Sequence, residues 1–151
     1  MVKKIHPRSR QMKQEQNQYL AEIDSGFLKK SNPSIMRIIL SEQHTRIDFG
    51  YSAPWIYVRG GWIKIAAYTY VQVKGSKKRY GLIEAKNIPL APEKFEFESQ
   101  EDWRVFSLYF EPIPIQNAVI DIIEEEKPTE NDFNFYGVVV NLDQKKLIDD
   151  F

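Results

Sequence analysis

The sequence predicts an all-β fold, an antiparallel β-sandwich of immunoglobulin-like or related topology, and three observations carry that prediction. Apolar and polar residues alternate with period two in about eight short runs, the mark of strands with one buried face. Turn-forming residues separate these runs roughly every ten residues, as in sandwiches and barrels. Aromatic residues make up 13% of the chain, and Tyr, Phe, Val and Ile favour the pleated sheet over the helix. A closed barrel is the alternative, since its strands alternate in the same way. A chain of 151 residues amounts to one domain. It divides into a polar N-terminal arm over residues 1–30, part helical or disordered, and a single β-sandwich domain over residues 31–151.

Residues 1–13 carry Lys3, Lys4, Arg8, Arg10 and Lys13 and no acid. A basic arm can serve an anionic surface. Without interleaved aromatics or domain-wide positive charge, it reads here as a solvated, frayed terminus. Residues 10–24 place Met12, Tyr19, Leu20 and Ile23 roughly on one face of a short helix, and Ser25-Gly26 would end it.

Residues 35–40 set Met36, Ile38 and Leu40 on one side, and residues 45–51 alternate Ile47, Phe49 and Tyr51 with Arg46, Asp48 and Gly50. Residues 41–44 connect the two runs. The segment YSAPWIYVRGG, residues 51–61, is punctuated by Pro and Gly and reads as a loop. Residues 62–73 show the cleanest alternation, with Ile63, Ile65, Ala67, Thr69, Val71 and Val73 against Trp62, Lys64, Ala66, Tyr68, Tyr70 and Gln72. A Gly-containing turn at 74–77 and a return strand with Tyr80 and Leu82 inward complete a β-hairpin. Residues 88–92 form an extended connector, and residues 94–98 turn Phe95 and Phe97 inward.

Residues 103–142 form the heart of the core. Phe106, Leu108 and Phe110 share one face, and Pro112 and Pro114 end that ladder. Ala118, Ile120 and Ile122 share the next, and an acidic tail follows them. Phe133, Phe135 and Val139 oppose Tyr136, Val138, Val140 and Leu142, so this strand is apolar on both faces and reads as central or covered. The predicted core is Ile38, Ile47, Phe49, Ile63, Ile65, Leu82, Phe106, Leu108, Ile120 and Val139.

Several of these runs resemble a largely uncharacterised β-sandwich module of Bacteroidetes proteins. The matching residues are Tyr80, the Ile88-Pro89-Leu90 connector, Phe110, Pro112, Ile113, Pro114, Asp121, Ile123, Glu124, Asn134, Phe135 and Tyr136, within residues 35–141. The resemblance implies a sandwich, an accessory role rather than an enzymatic one, and an envelope setting beside other domains.

Composition narrows the function classes. Twenty-one basic residues balance 21 acidic ones, so no global field recruits nucleic acid. The absence of cysteine removes disulfides, thiolate nucleophiles and cysteine metal sites. No apolar run reaches the roughly 18 residues of a membrane span. No apolar leader follows the basic start, so the cytoplasm is the default compartment, with the envelope as the alternative from the resemblance. Only His6 and His44 are histidines, and no nucleophile elbow, phosphate loop or zinc helix is present. We assign no catalytic residue, metal or cofactor.

The carboxylates Asp121, Glu124, Glu125, Glu126, Glu130 and Asp132 read as a solvated loop rather than as a glycosidase pair. Within that run, Asp121 lies inside a strand and is assigned a structural role. The candidate binding residues are Trp55, Tyr57, Arg59 and Trp62, aromatics and a cation around Gly60-Gly61. The competing reading makes the two tryptophans plugs at one end of the core. The expected function is a non-catalytic module that binds a protein or a carbohydrate. A carbohydrate-binding module and a small carboxylate-based hydrolase are the alternatives.

Overall fold

The computed structural model describes residues 18–22, 33–52, 62–97, 103–127 and 133–148, with side chains described only as far as residue 142 in the last segment. The described elements, in chain order, are β1 (Gln18–Glu22), β2 (Ser34–Leu40), β3 (Thr45–Ser52), β4 (Trp62–Ile63), β5 (Tyr70–Val73), β6 (Arg79–Lys86), β7 (Phe95–Glu96), β8 (Trp103–Phe110), β9 (Ala118–Ile123) and β10 (Phe135–Ile148). No helix occurs among the described residues, so none is long and apolar enough to cross a membrane.

Eight of these strands form a closed antiparallel barrel in the order β1-β10-β9-β5-β6-β8-β3-β2, and β4 and β7 pair as a separate two-stranded ribbon. The expected sandwich is therefore corrected to a barrel. Closure depends on β10. Its first part pairs with β9, Phe135 opposite Ile122 and Val140 opposite Ala118. Its second part pairs with β1, Gln18 opposite Ile148. β1 in turn pairs with β2, Tyr19 opposite Leu40. The segment read as a helix thus supplies the closing strand: tertiary pairing on both sides overrides a weak local preference.

β3 and β8 run in unbroken register from Thr45 opposite Phe110 to Ser52 opposite Trp103. Their inward residues Ile47, Phe49, Phe106, Leu108 and Phe110 are buried together with Ile38, Leu40, Val71, Tyr80, Ile120, Ile122, Val138 and Val140. Phe49 stacks on Phe106 at 5.1 Å between ring centroids and meets Phe133 edge-on at 4.9 Å. Thr45 is a fully buried polar residue, and its hydroxyl donates to the Glu111 carbonyl at 3.1 Å and accepts from the Ile113 N–H at 3.0 Å.

The expected core needs one exclusion and one demotion. Val139 is 46% exposed. Gly137 adopts φ 66°, and the β9–β10 register shifts between Phe135 and Val138. The extra residue is a bulge, which moves the inward face from Phe135 to Val138, Val140 and Leu142. Leu82 is only partly buried beside a second irregularity, between Leu82 and Glu84. A third shift, between Ile35 and Arg37, turns Ile35 inward and leaves Met36 exposed. The 62–73 run is not one strand either. The Thr69 N–H donates to the Ala66 carbonyl at 3.1 Å, closing a turn that separates β4 from β5. Ala66 is buried there in place of Ala67. The 88–92 connector lies beside this segment, with Ile65 bridging Leu90.

Candidate functional site

Of the four candidate binding residues, Trp55, Tyr57 and Arg59 lie outside the described residues. Trp62 opens β4 and is 48% exposed, so it is not a core plug. In the β4–β7 ribbon Trp62 pairs with Glu96 and Ile63 with Phe95. Ile63 is buried and Phe95 packs on the core. By alternation, Trp62 and Glu96 occupy the outer face. Lys64 and Lys94, one residue beyond the paired positions, reach back over the indole. Each ammonium lies 5.2 Å from the ring centroid. Lys94 is also 3.6 Å from the Glu96 carboxylate. On the inner face, the Arg104 guanidinium sits 3.8 Å above Phe95. Phe95 meets Phe97 edge-on, and Phe97 stacks on Tyr51. The sequence placed Trp62 and Lys64 on one face through their spacing. Lys94 was missed, because its approach depends on a pairing across the intervening hairpin that local alternation does not encode.

The acidic run is occupied within the fold. The Glu124 carboxylate accepts the Ala66 N–H at 2.9 Å on one oxygen and the Phe133 N–H at 3.0 Å on the other. Glu125 accepts from the Tyr68 hydroxyl, and Glu126 pairs with Arg79. Asp121 accepts the Gly137 N–H at 2.8 Å. Its partner is the backbone of the bulge. Asn134 closes the end of β9, accepting the N–H groups of Glu124 and Glu125 and donating to the Glu125 carbonyl. Glu130 and Asp132 lie outside the described residues. Among the described residues no group of three or more metal-ligating side chains is placed to hold a metal ion.

Beside this run, the Arg79 guanidinium lies 4.5 Å from the centroid of the Tyr70 ring. Burial pushes the Tyr70 hydroxyl above its ordinary range, against the pull of Arg79.

A second charged cluster sits on the outer face of β2, β3 and β8. Asp48 is 3% exposed. It accepts from Arg37 Nε at 2.7 Å, Arg46 Nε at 2.9 Å and the Ser107 hydroxyl at 2.6 Å. Burial works against its charge, yet these three bonds outweigh it and hold the carboxyl below its usual range. Nearby, His44 meets Tyr109 edge-on at 4.9 Å, with its Nδ1 shut from solvent and without a hydrogen-bond partner. Burial lowers its pKa, and Arg46 and Lys86 add to that effect. His44 is thus half-buried.

A closed eight-stranded barrel with an exposed aromatic and cationic ribbon is the class of protein that the fold and site define. No family model, curated protein or solved structure matches the chain. The resemblance to the Bacteroidetes module accordingly rests on the motifs quoted above.

Proposed function

We propose that this chain is a non-catalytic binding module whose ligand or partner contacts the outer face of the β4–β7 ribbon around Trp62. One observation carries the reading: an indole stays about half exposed on a short ribbon whose other face is anchored in the core. Tryptophan leaves water readily and is enriched among residues that dominate binding energies. The engagement of Asp121, Glu124, Glu125 and Glu126 within the fold supports the non-catalytic part, since a hydrolytic pair needs two carboxylates aimed across a cleft. The accessory role implied by the Bacteroidetes resemblance agrees with it.

The test is an array of glycans and peptides probed with the intact chain and with Trp62→Ala. The substitution is expected to leave the melting temperature nearly unchanged and to remove the wild-type array signals. A wild-type chain that binds no feature, or a variant that binds equally well, would overturn the proposal.

A further inference from the structure

We infer that the ribbon recognises an acidic glycan, a chain bearing uronic acid carboxylates; this rests on the reading of Trp62 as a binding residue. Two ammonium groups converge on one indole, each 5.2 Å from its centroid. Like charges brought together across a strand pair work against each other. Attraction to the indole face offsets part of that repulsion. Among the described residues one carboxylate answers the two cations. Glu96 lies 3.6 Å from Lys94, and among the described residues Lys64 has no acidic group within ion-pair distance. Among the described residues, the outer face of the ribbon therefore carries an excess positive charge beside an exposed aromatic ring.

That combination selects among ligands. A neutral sugar would meet the indole but leave the ammonium groups unanswered. An acidic peptide side chain would answer the charge but has no rigid apolar face to lay on the ring. A uronate unit carries both features on one ring: axial C–H bonds for the indole and a carboxylate for the lysines. Nucleic acid would satisfy the cations too. The balanced 21 and 21 charges of the chain, however, supply none of the wider positive field that such binding uses.

Isothermal titration of the intact chain at low salt distinguishes these ligands. The probes are a hexamer of galacturonic acid, the same hexamer fully methyl-esterified, and hexaglutamate. The acidic hexamer is expected to bind, and the ester and hexaglutamate to bind at least about tenfold more weakly. The double variant Lys64→Gln/Lys94→Gln is expected to lose about tenfold on the acidic hexamer while keeping its melting temperature, and Lys94→Arg to retain binding. Added salt should weaken the interaction, because the lysines are exposed. Equal binding of acid and ester, lost in Trp62→Ala, would overturn the acidic specificity and leave the binding module standing. Tighter binding of hexaglutamate would assign the ribbon to an acidic peptide instead. Failure of the acidic hexamer to bind would overturn the inference, and the array above would still decide whether the module binds another ligand.

Discussion

Asp48 concentrates the electrostatic stability of the described residues. Its pKa is depressed in the fold, so the stability it contributes is fully present above its unfolded value, about 4. That stability is lost as pH falls below that value and through the folded one. Urea unfolding at a series of pH values should show stability dropping in this acid window. Asp48→Asn should flatten the drop and cost about 2 kcal/mol at neutral pH, since the charge is lost and one of the two oxygens that bind Arg37 and Arg46 becomes an amide nitrogen. An unchanged acid slope in the variant would show that other carboxylates carry it. His44 acts in the same direction at higher pH. Its folded pKa is lowered by burial, so the unfolded chain takes up a proton first, and stability declines as pH falls below about 6.5. His44→Gln should remove the part of the decline that sets in below about pH 6.5, read in the same titration. Leu108, fully buried opposite Ile47 of β3, tests packing alone. Leu108→Ala should cost about 2–5 kcal/mol in denaturant unfolding.

At the scale of elements, the bulge in β10 shows what a local pattern conveys. Phe133 and Phe135 were legible as inward, and so was the alternation of Val138, Val140 and Leu142. The step between the two sets was not legible, because it requires a left-handed residue at Gly137 and an acceptor on the neighbouring strand for its N–H. Asp121 is that acceptor. Its presence in a strand signalled a polar obligation without revealing the partner. A Cβ at Gly137 would meet nothing within 4 Å, so Gly137→Ala should cost only the backbone strain, about 1–2 kcal/mol. Asp121→Ala should cost about 0.5–1.5 kcal/mol, the net value of one hydrogen bond whose exposed N–H water can take over, and thermal denaturation of both variants checks the pair. β3 and β8 were read correctly because each alternates without interruption. β4 and β5 were fused into one strand because the turn at Ala66 preserves the apolar phase on either side. Of the site, Trp62 was named as a binding candidate with a core plug as the competing reading, and of the lysine pair only Lys64 shared its face in the sequence.

At the scale of the whole molecule, sandwich and barrel strands carry the same inward and outward pattern, and the architecture follows from which strands pair. β1 decides it. Its five residues, QYLAE, are too few and too polar to announce a strand, yet without them β2 and β10 would each present an open edge. Two truncations separate the arm from the closing strand. Removing residues 1–9 should leave the melting temperature nearly unchanged. Removing residues 1–22 should lower it by many degrees and promote association through the freed edges, visible as larger species in size-exclusion chromatography. Equal melting of the two truncations would mean that the barrel does not depend on β1. Closure also bears on how the chain reaches its folded state. Gln18 finds its partner at Ile148, so the ring completes through one of the longest loops the chain can make. Such contacts are reached late and slowly, because the entropy of joining distant segments is lost before the pairing compensates it. Refolding from urea should therefore proceed in milliseconds to seconds rather than microseconds. No contiguous fragment lacking β1 or the second half of β10 can form the closed ring.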